Sequence, residues 1–164
     1  MVEFAAKTAP ELELLIRKVT IDDLDLVNDL DARITGVDKR EYWRDMIDRV
    51  ATRRAGERFF LIAKPCNDTV KCPALGIIIG EIRGWEFGSD PCGWIFAASV
   101  DLDYREQGIG EQMFKAICEE FRAVGTETVR TMVRRDDQIN MSFFRSEGMS
   151  AGPYTQLEIN LNER

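Results

Sequence analysis

The sequence contains no histidine. That absence removes Ser-His-Asp and Cys-His catalysis, His-ligated metals and an imidazole general base. Cysteine is scarce: Cys66, Cys72, Cys92 and Cys118, with no C-x-x-C pair among them. Cys118 falls on the apolar face of a helix and reads as buried. Cys66 and Cys72 could meet across a hairpin, or join Cys92 around a metal, but a reducing location argues against both. No metal is expected. No apolar run approaches the roughly 20 residues that cross a bilayer. The start, MVEFAAKTAP, lacks the basic and apolar segments of a leader, so residues 1–12 are expected to be a loose tail and the chain cytoplasmic. Positive charge is also in deficit. Lys and Arg total 22 against 29 Asp and Glu, a formal net charge of −7. Such a surface repels nucleic-acid phosphates and anionic lipid, so neither is an expected partner, while a cationic amine is tolerated.

What is present is ordinary for a folded protein: 45% hydrophobic and 31% charged residues over 164 positions, enough for one core. No repeat, low-complexity tract or linker divides the chain, and a single domain over 1–164 is expected. Leu15–Thr20 reads as a strand. Thr20 then has the position of an N-cap with Asp23 three residues on. Leu24, Val27, Leu30 and Ile34 follow at helical spacing, closed by Gly36. A second helix is predicted over about 38–55, with Trp43, Met46, Ile47 and Val50 inward and Gly56 as a stop. The period then changes. Arg58–Lys64, Leu75–Trp85 and Trp94–Val100 read as an antiparallel meander, with GSDPCG (88–93) as a turn.

Gly108–Val124 is the clearest helix. Ile109, Met113, Phe114, Ile117, Phe121 and Val124 share one face, and Glu111, Lys115 and Glu119 lie at i,i+4 spacing on the other. A strand at Thr128–Arg134, a short helix at Asp137–Glu147 ended by Gly148, and an alternating strand at Gln156–Leu161 complete the order β-α-α-β-β-β-α-β-α-β. A further short strand could lie near Met149–Tyr154. The class is α/β: a mostly antiparallel mixed sheet flanked by helices.

The chemistry concentrates in Val100–Met113, VDLDYREQGIGEQM. A strand ends, a polar stretch follows, and Gly108-Ile109-Gly110 opens an amphipathic helix. A helix N-terminus offers unpaired N–H groups and roughly half a positive charge. Glycines there let a ligand reach the backbone. Together they suit a phosphate or pyrophosphate, and Arg105 adds a cation. A plain strand-to-helix turn would use glycine in the same way. Neither a G-x-x-x-x-G-K-[ST] loop nor a G-x-G-x-x-G fingerprint is present, since Met113 occupies the last glycine position of the latter.

Arg105-Glu106-Gln107-Gly108-Ile109-Gly110 matches the [RQ]-x-x-G-x-[GA] signature of the GNAT superfamily of N-acetyltransferases. Ser99–Tyr104 resembles the strand end and approach before that signature, with Leu102 where a proline is common. Ser142-Phe143-Phe144-Arg145-Ser146-Glu147-Gly148-Met149 resembles the family's second motif. Its leading Asn position falls near Asp137, with Asn140 close by. The element order also agrees, so the resemblance spans about residues 15–161.

The resemblance implies an enzyme that moves an acetyl group from acetyl-CoA to a primary amine by direct attack on the thioester. The amine's carrier is a small molecule, peptide or protein, and a homodimer is one assembly the family uses. It implies that N–H groups of Gln107, Gly108, Ile109, Gly110 and Glu111, with Arg105, hold the pyrophosphate. Ala98, Ser99 and Val100 would pair with the pantetheine arm, as an added strand does. An alkyl ammonium, pKa about 10.4, must lose a proton before it attacks. The family often uses a glutamate on the preceding strand, which here is Glu81. Burial would raise its pKa, although it shares a face with Arg83 and both could be solvated. Asp101 and Glu86 are alternatives. Phe144 holds the position where many members place a tyrosine acid. It can pack against the cofactor but cannot donate a proton, which leaves water, Tyr104, Ser142 or Tyr154, or a non-catalytic acyl-CoA-binding module. The acceptor pocket would draw on Asp31, Glu41, Tyr42, Trp43, Trp85 and Phe87, although the helical spacing of Trp43 favours the core and the charges suit a solvated helix face.

Overall fold

The computed structural model describes residues 12–52, 56–65 and 72–163. Two compact units divide the chain after Met132.

The first unit is built on five strands: β1 (Leu14–Lys18), β2 (Arg58–Pro65), β3 (Gly76–Arg83), β4 (Cys92–Val100) and β5 (Val129–Thr131). They lie side by side in chain order. The first four pair antiparallel, and β5 joins β4 in parallel. Between β1 and β2 run α1 (Leu24–Thr35) and α2 (Arg40–Thr52). Between β4 and β5 runs α3 (Ile109–Ala123).

Local chemistry sets these elements. The Thr20 N–H donates to the Asp23 carboxylate at 2.8 Å, the expected start signal for α1. Arg17 on β1 grips the same carboxylate through two 2.7 Å bonds. Burial would push the Asp23 carboxyl up, but hydrogen bonds from Arg17 and Thr20 and the Arg17 charge hold it below the ordinary value. Gly36 closes α1 in the left-handed conformation at φ 73°.

The inward faces of α1 and α2 (Leu24, Val27, Leu30, Trp43, Ile47) meet Phe60, Ile62, Ile77 and Ile79 of the sheet in one core. The sheet's other face receives α3, whose Met113, Ile117 and Phe121 are buried. Three strand glycines make room for them. A Cβ on Gly76 would lie 2.6 Å from Met113, one on Gly80 2.6 Å from Phe121, and one on Gly93 2.5 Å from Phe121. The backbone of α3 therefore lies close to the sheet, and so does the turn at its N-terminus.

The second unit, from Val133, holds α4 (Gln138–Ser146). Asp137 caps it, accepting the Asn140 N–H at 3.1 Å and the Asn140 amide at 2.7 Å. Those bonds hold the Asp137 carboxyl below its ordinary value.

Two expectations are corrected. Neither 149–154 nor 156–160 forms a strand, and Leu157, Ile159 and Leu161 are exposed. Alternation makes a segment able to be a strand, but a strand exists only where a neighbour pairs with it. The predicted Thr128–Arg134 strand also shortens to Val129–Thr131. Cys92 is buried as a free thiol, and Cys66 lies outside the described residues. No group of three or more metal-ligating side chains occurs among the described residues. No helix among them is long and apolar enough to cross a membrane.

Candidate active site

The site begins with a fork. β4 and β5 pair only over Gly93–Ile95 against Val129–Thr131. Beyond Ile95, residues Ala97–Val100 still pair with β3 on one side, and no described strand lies along their other edge. The register shifts at the same place: Ile79 faces Ala97 while Gly80 faces Ile95, which leaves Phe96 as the extra residue of a bulge. Ala98, Ser99 and Val100 therefore sit on an exposed backbone edge, where an extended ligand can pair as a strand would.

Following β4 leads to the signature turn. Asp101 is buried, and its carboxylate accepts Arg33 Nη2 at 2.7 Å, Arg33 Nε at 3.1 Å and the Asp103 N–H at 3.1 Å. Asp101 thus ties the approach loop to α1, and its oxygens are already occupied. Tyr104 is more than a third exposed at the end of the next short turn. Arg105 is extended, Glu106 takes a left-handed φ of 63°, and Gly108 another at 76° as the N-cap of α3. A glutamate in that conformation is strained by about 1 kcal/mol or more, and such strain often marks a functional turn.

The first bond of the α3 ladder is Gln112 N–H to the Gly108 carbonyl, 3.0 Å. The N–H groups of Ile109, Gly110 and Glu111 precede it, so the helix leaves them for an outside acceptor. The side chains go elsewhere. Ile109 is buried in the core, and Glu111 pairs with Lys115 at 2.5 Å. Arg105 and Gln107 are exposed, and Gly108 and Gly110 are half-buried. Backbone donors and one exposed cation therefore lie together at the turn that follows the open part of β4.

Glu81 lies on β3 directly across from Trp94 of β4 and Arg58 of β2. Its Oε2 accepts Arg58 Nε at 3.0 Å and also Arg58 Nη2, and its Oε1 accepts Arg83 Nε at 3.1 Å. The expected rise in pKa is reversed. Burial does push the carboxyl up, but hydrogen bonds and charge from both guanidinia outweigh it and hold Glu81 below the usual carboxylate value. Alternation in β3 put Arg83 on the Glu81 face, but Arg58 needed the cross-strand register, which no local pattern carries.

Of the acceptor residues expected from the sequence, Asp31, Tyr42 and Trp43 are linked side chain to side chain. Asp31 is buried and accepts the Trp43 indole N–H at 3.0 Å, with the Lys39 ammonium 2.9 Å away. Both contacts fall on Oδ2, which fastens α1 to α2. Trp43 is core. Tyr42 is half-exposed and packs edge-on against Trp43. Glu41 pairs with Arg44 on the surface of α2. Trp85 and Phe87 are exposed at the β3–β4 turn, both with positive φ. Phe144 lies in the second unit, buried, with its ring edge-on to Phe143 at 5.1 Å.

No curated protein sequence matches the chain. Many solved structures share its fold. The aminoglycoside N-acetyltransferase AAC(6')-Iy, solved with CoA, has a TM-score of 0.76 at 15% identity over 93% of this chain and 99% of its own. The aminoglycoside 6'-N-acetyltransferase AAC(6')-Ih from Acinetobacter baumannii has 0.72 at 16% identity over 91% and 99%. A ribosomal-protein-alanine N-acetyltransferase from Brucella melitensis biovar Abortus 2308 has 0.69 at 13% identity over 91% and 99%. At such identities the likeness shows the fold. The model of the acetyltransferase (GNAT) family matches residues 24–149, and the chain belongs to that family as an N-acetyltransferase.

Proposed function

We propose that the chain transfers the acetyl group of acetyl-CoA to a primary amine in one step. The amine nitrogen attacks the thioester carbonyl, the carbon–sulfur bond breaks, the nitrogen loses a proton and the thiolate gains one. The observation that carries this reading is the fork at Ile95, whose open β4 edge leads straight into the donor-lined turn at Gly108. A long ligand with an amide-bearing arm and an anionic end fits both features together. In this reading the N–H groups of Gln107 to Glu111, with Arg105, hold the pyrophosphate, and Ala98–Val100 pair with the pantetheine arm. The thioester then ends at the Phe96 bulge. The family model spans both compact units, which supports treating the chain as one catalytic domain.

Both Glu81 oxygens are occupied by guanidinia, so Glu81 acts on the amine's proton through water rather than by direct contact. Tyr104 is the exposed hydroxyl nearest in sequence to the signature turn and is the candidate proton donor to the thiolate.

Incubation with acetyl-CoA and a panel of amines, with free thiol as the readout, tests the proposal. Thiol release that needs an amine supports it. A second reading, a non-catalytic acyl-CoA-binding module, is favoured by the missing hydroxyl at Phe144. Acetyl-CoA-dependent thermal stabilisation with no thiol release on any amine would select that reading instead.

A further inference from the structure

The sheet face turned away from α3 has two halves. One half, around Phe60, Ile62, Ile77 and Ile79, is covered by α1 and α2. The other half holds Arg58, Glu81, Arg83, Trp94 and Phe96. Gly80 and Gly93 point at α3, so by strand alternation Glu81, Arg83 and Trp94 point the opposite way.

These side chains form a layer. The Arg58 guanidinium lies 5.6 Å from the centre of the Phe96 ring, and that of Arg83 lies 4.3 Å from the Trp94 ring. Each also reaches Glu81. Two guanidinia share one carboxylate, so the layer keeps a net positive charge in a protein whose formal net charge is −7. The Arg58 side chain is 17% exposed and lies against Met46, whereas that of Arg83 is 32% exposed. Among the described residues, Arg83 reaches Glu81 through Nε alone. Its guanidinium carbon lies over the Trp94 indole, and its two terminal nitrogens are the pair that a carboxylate can engage in bidentate fashion. Phe96, the bulge residue and 37% exposed, is two positions along β4 from Trp94.

We propose that the acceptor carries a carboxylate within roughly 7 Å of the amine that is acetylated, the span of two strand residues, and that the outer edge of Arg83 binds it. This rests on the acetyltransferase reading, which puts the thioester at the Phe96 bulge. A polycationic acceptor would meet a like charge there. An amino acid, or a peptide with a nearby acid group, gains a charge-assisted pair on an aromatic floor. The overall acidity of the chain argues for cationic substrates, but at this distance the local charge outweighs the distant one.

The test compares glycine, β-alanine and 4-aminobutyrate with their amides, and with spermidine. Binding to the chain saturated with CoA is measured by calorimetry, and thiol release is measured with acetyl-CoA. The best acid should bind roughly 10- to 100-fold more tightly than its amide. Arg83→Gln should bring that ratio close to one, chiefly through KM, and Arg83→Lys should restore most of it. Equal binding of acids and amides, preference for spermidine, or a ratio untouched by Arg83→Gln overturns the proposal. Acid-selective binding lost in Arg83→Gln, without thiol release, would sink the catalytic reading and leave only the carboxylate site at Arg83 standing. Thiol release without acid selectivity would do the reverse.

Discussion

The Thr131 hydroxyl donates to the Ile95 carbonyl at 2.9 Å, at the last position where β4 and β5 are paired. One residue further, the strands have parted. The bond acts as a stitch at the apex of the fork, and it sets how far the open edge of β4 extends. Thr131→Val keeps the shape and the β-branch but removes the donor. The expected cost is about 1 kcal/mol of stability, read by chemical denaturation. A several-fold loss of acetyl-CoA affinity by calorimetry should accompany it, because the fork widens beneath the pantetheine arm. Unchanged affinity would mean that the fork is held by packing alone.

Gly108 offers a sharper test of the anion site. Its φ of 76° suits glycine, and its neighbours' N–H groups are the ones that the proposal assigns to the pyrophosphate. Gly108→Ala should cost about 1–2 kcal/mol from the left-handed backbone and weaken acetyl-CoA binding. Gly108→Glu adds a like charge to the pyrophosphate position and should abolish binding in calorimetry while α3 stays folded by circular dichroism. Retained affinity in the Glu variant would remove the turn from the cofactor site.

The contrast between these two residues shows what the sequence discloses. Gly108 is legible because turn chemistry and helix capping are local, and its neighbours Arg105 and Gly110 repeat a known pattern. The meander, the helix starts and stops, and the inward faces of α1 and α3 are legible for the same reason: each follows from spacing within about 15 residues. The role of Thr131 is not legible, because it depends on where two strands distant in sequence diverge. The clamp of Arg58 on Glu81 depends on register across a loop, and the burial of Asp31 on how α1 meets α2. The alternation in 156–161 is plain in the sequence, yet it forms no strand, because pairing is settled by partners and not by pattern.

The glycines of the sheet make a prediction about how α3 is seated. A Cβ on Gly93 would stand 2.5 Å from the Phe121 ring, with no room for both. Gly93→Ala should destabilise the fold by about 1–3 kcal/mol, measured by urea denaturation. Phe121→Leu alone should also destabilise it, since a fully buried ring is lost. The double variant should recover part of the Gly93→Ala cost, giving a non-additive cycle. Strict additivity would show that the strand moves to accept the methyl group and that the two sites are not coupled through this contact.

Glu81 leads to two pH predictions with opposite readouts. Its carboxyl is held below the ordinary value of 4.5 by Arg58 and Arg83 against the effect of burial. A depressed folded-state pKa gives stability that is fully present above the unfolded value and is lost as pH falls through the folded one. The wild-type melting temperature should therefore drop on acidification below about pH 4.5, and Glu81→Gln should flatten that drop. At neutral pH the variant should be less stable by about 2 kcal/mol, less than for a fully buried pair because both side chains keep some contact with water. Turnover behaves differently. Between about pH 6 and 9 Glu81 is already ionised, so it cannot produce an acid limb there. The limb should come from the acceptor's ammonium, whose pKa is about 10.4 for a simple alkyl amine. Replacing that acceptor by one with a less basic nitrogen should shift the limb downward by a matching amount, in wild type and in Glu81→Gln alike. A limb that stays fixed as the acceptor changes would place the titrating group on the protein, and would require a base other than the carboxylate already engaged by Arg58 and Arg83.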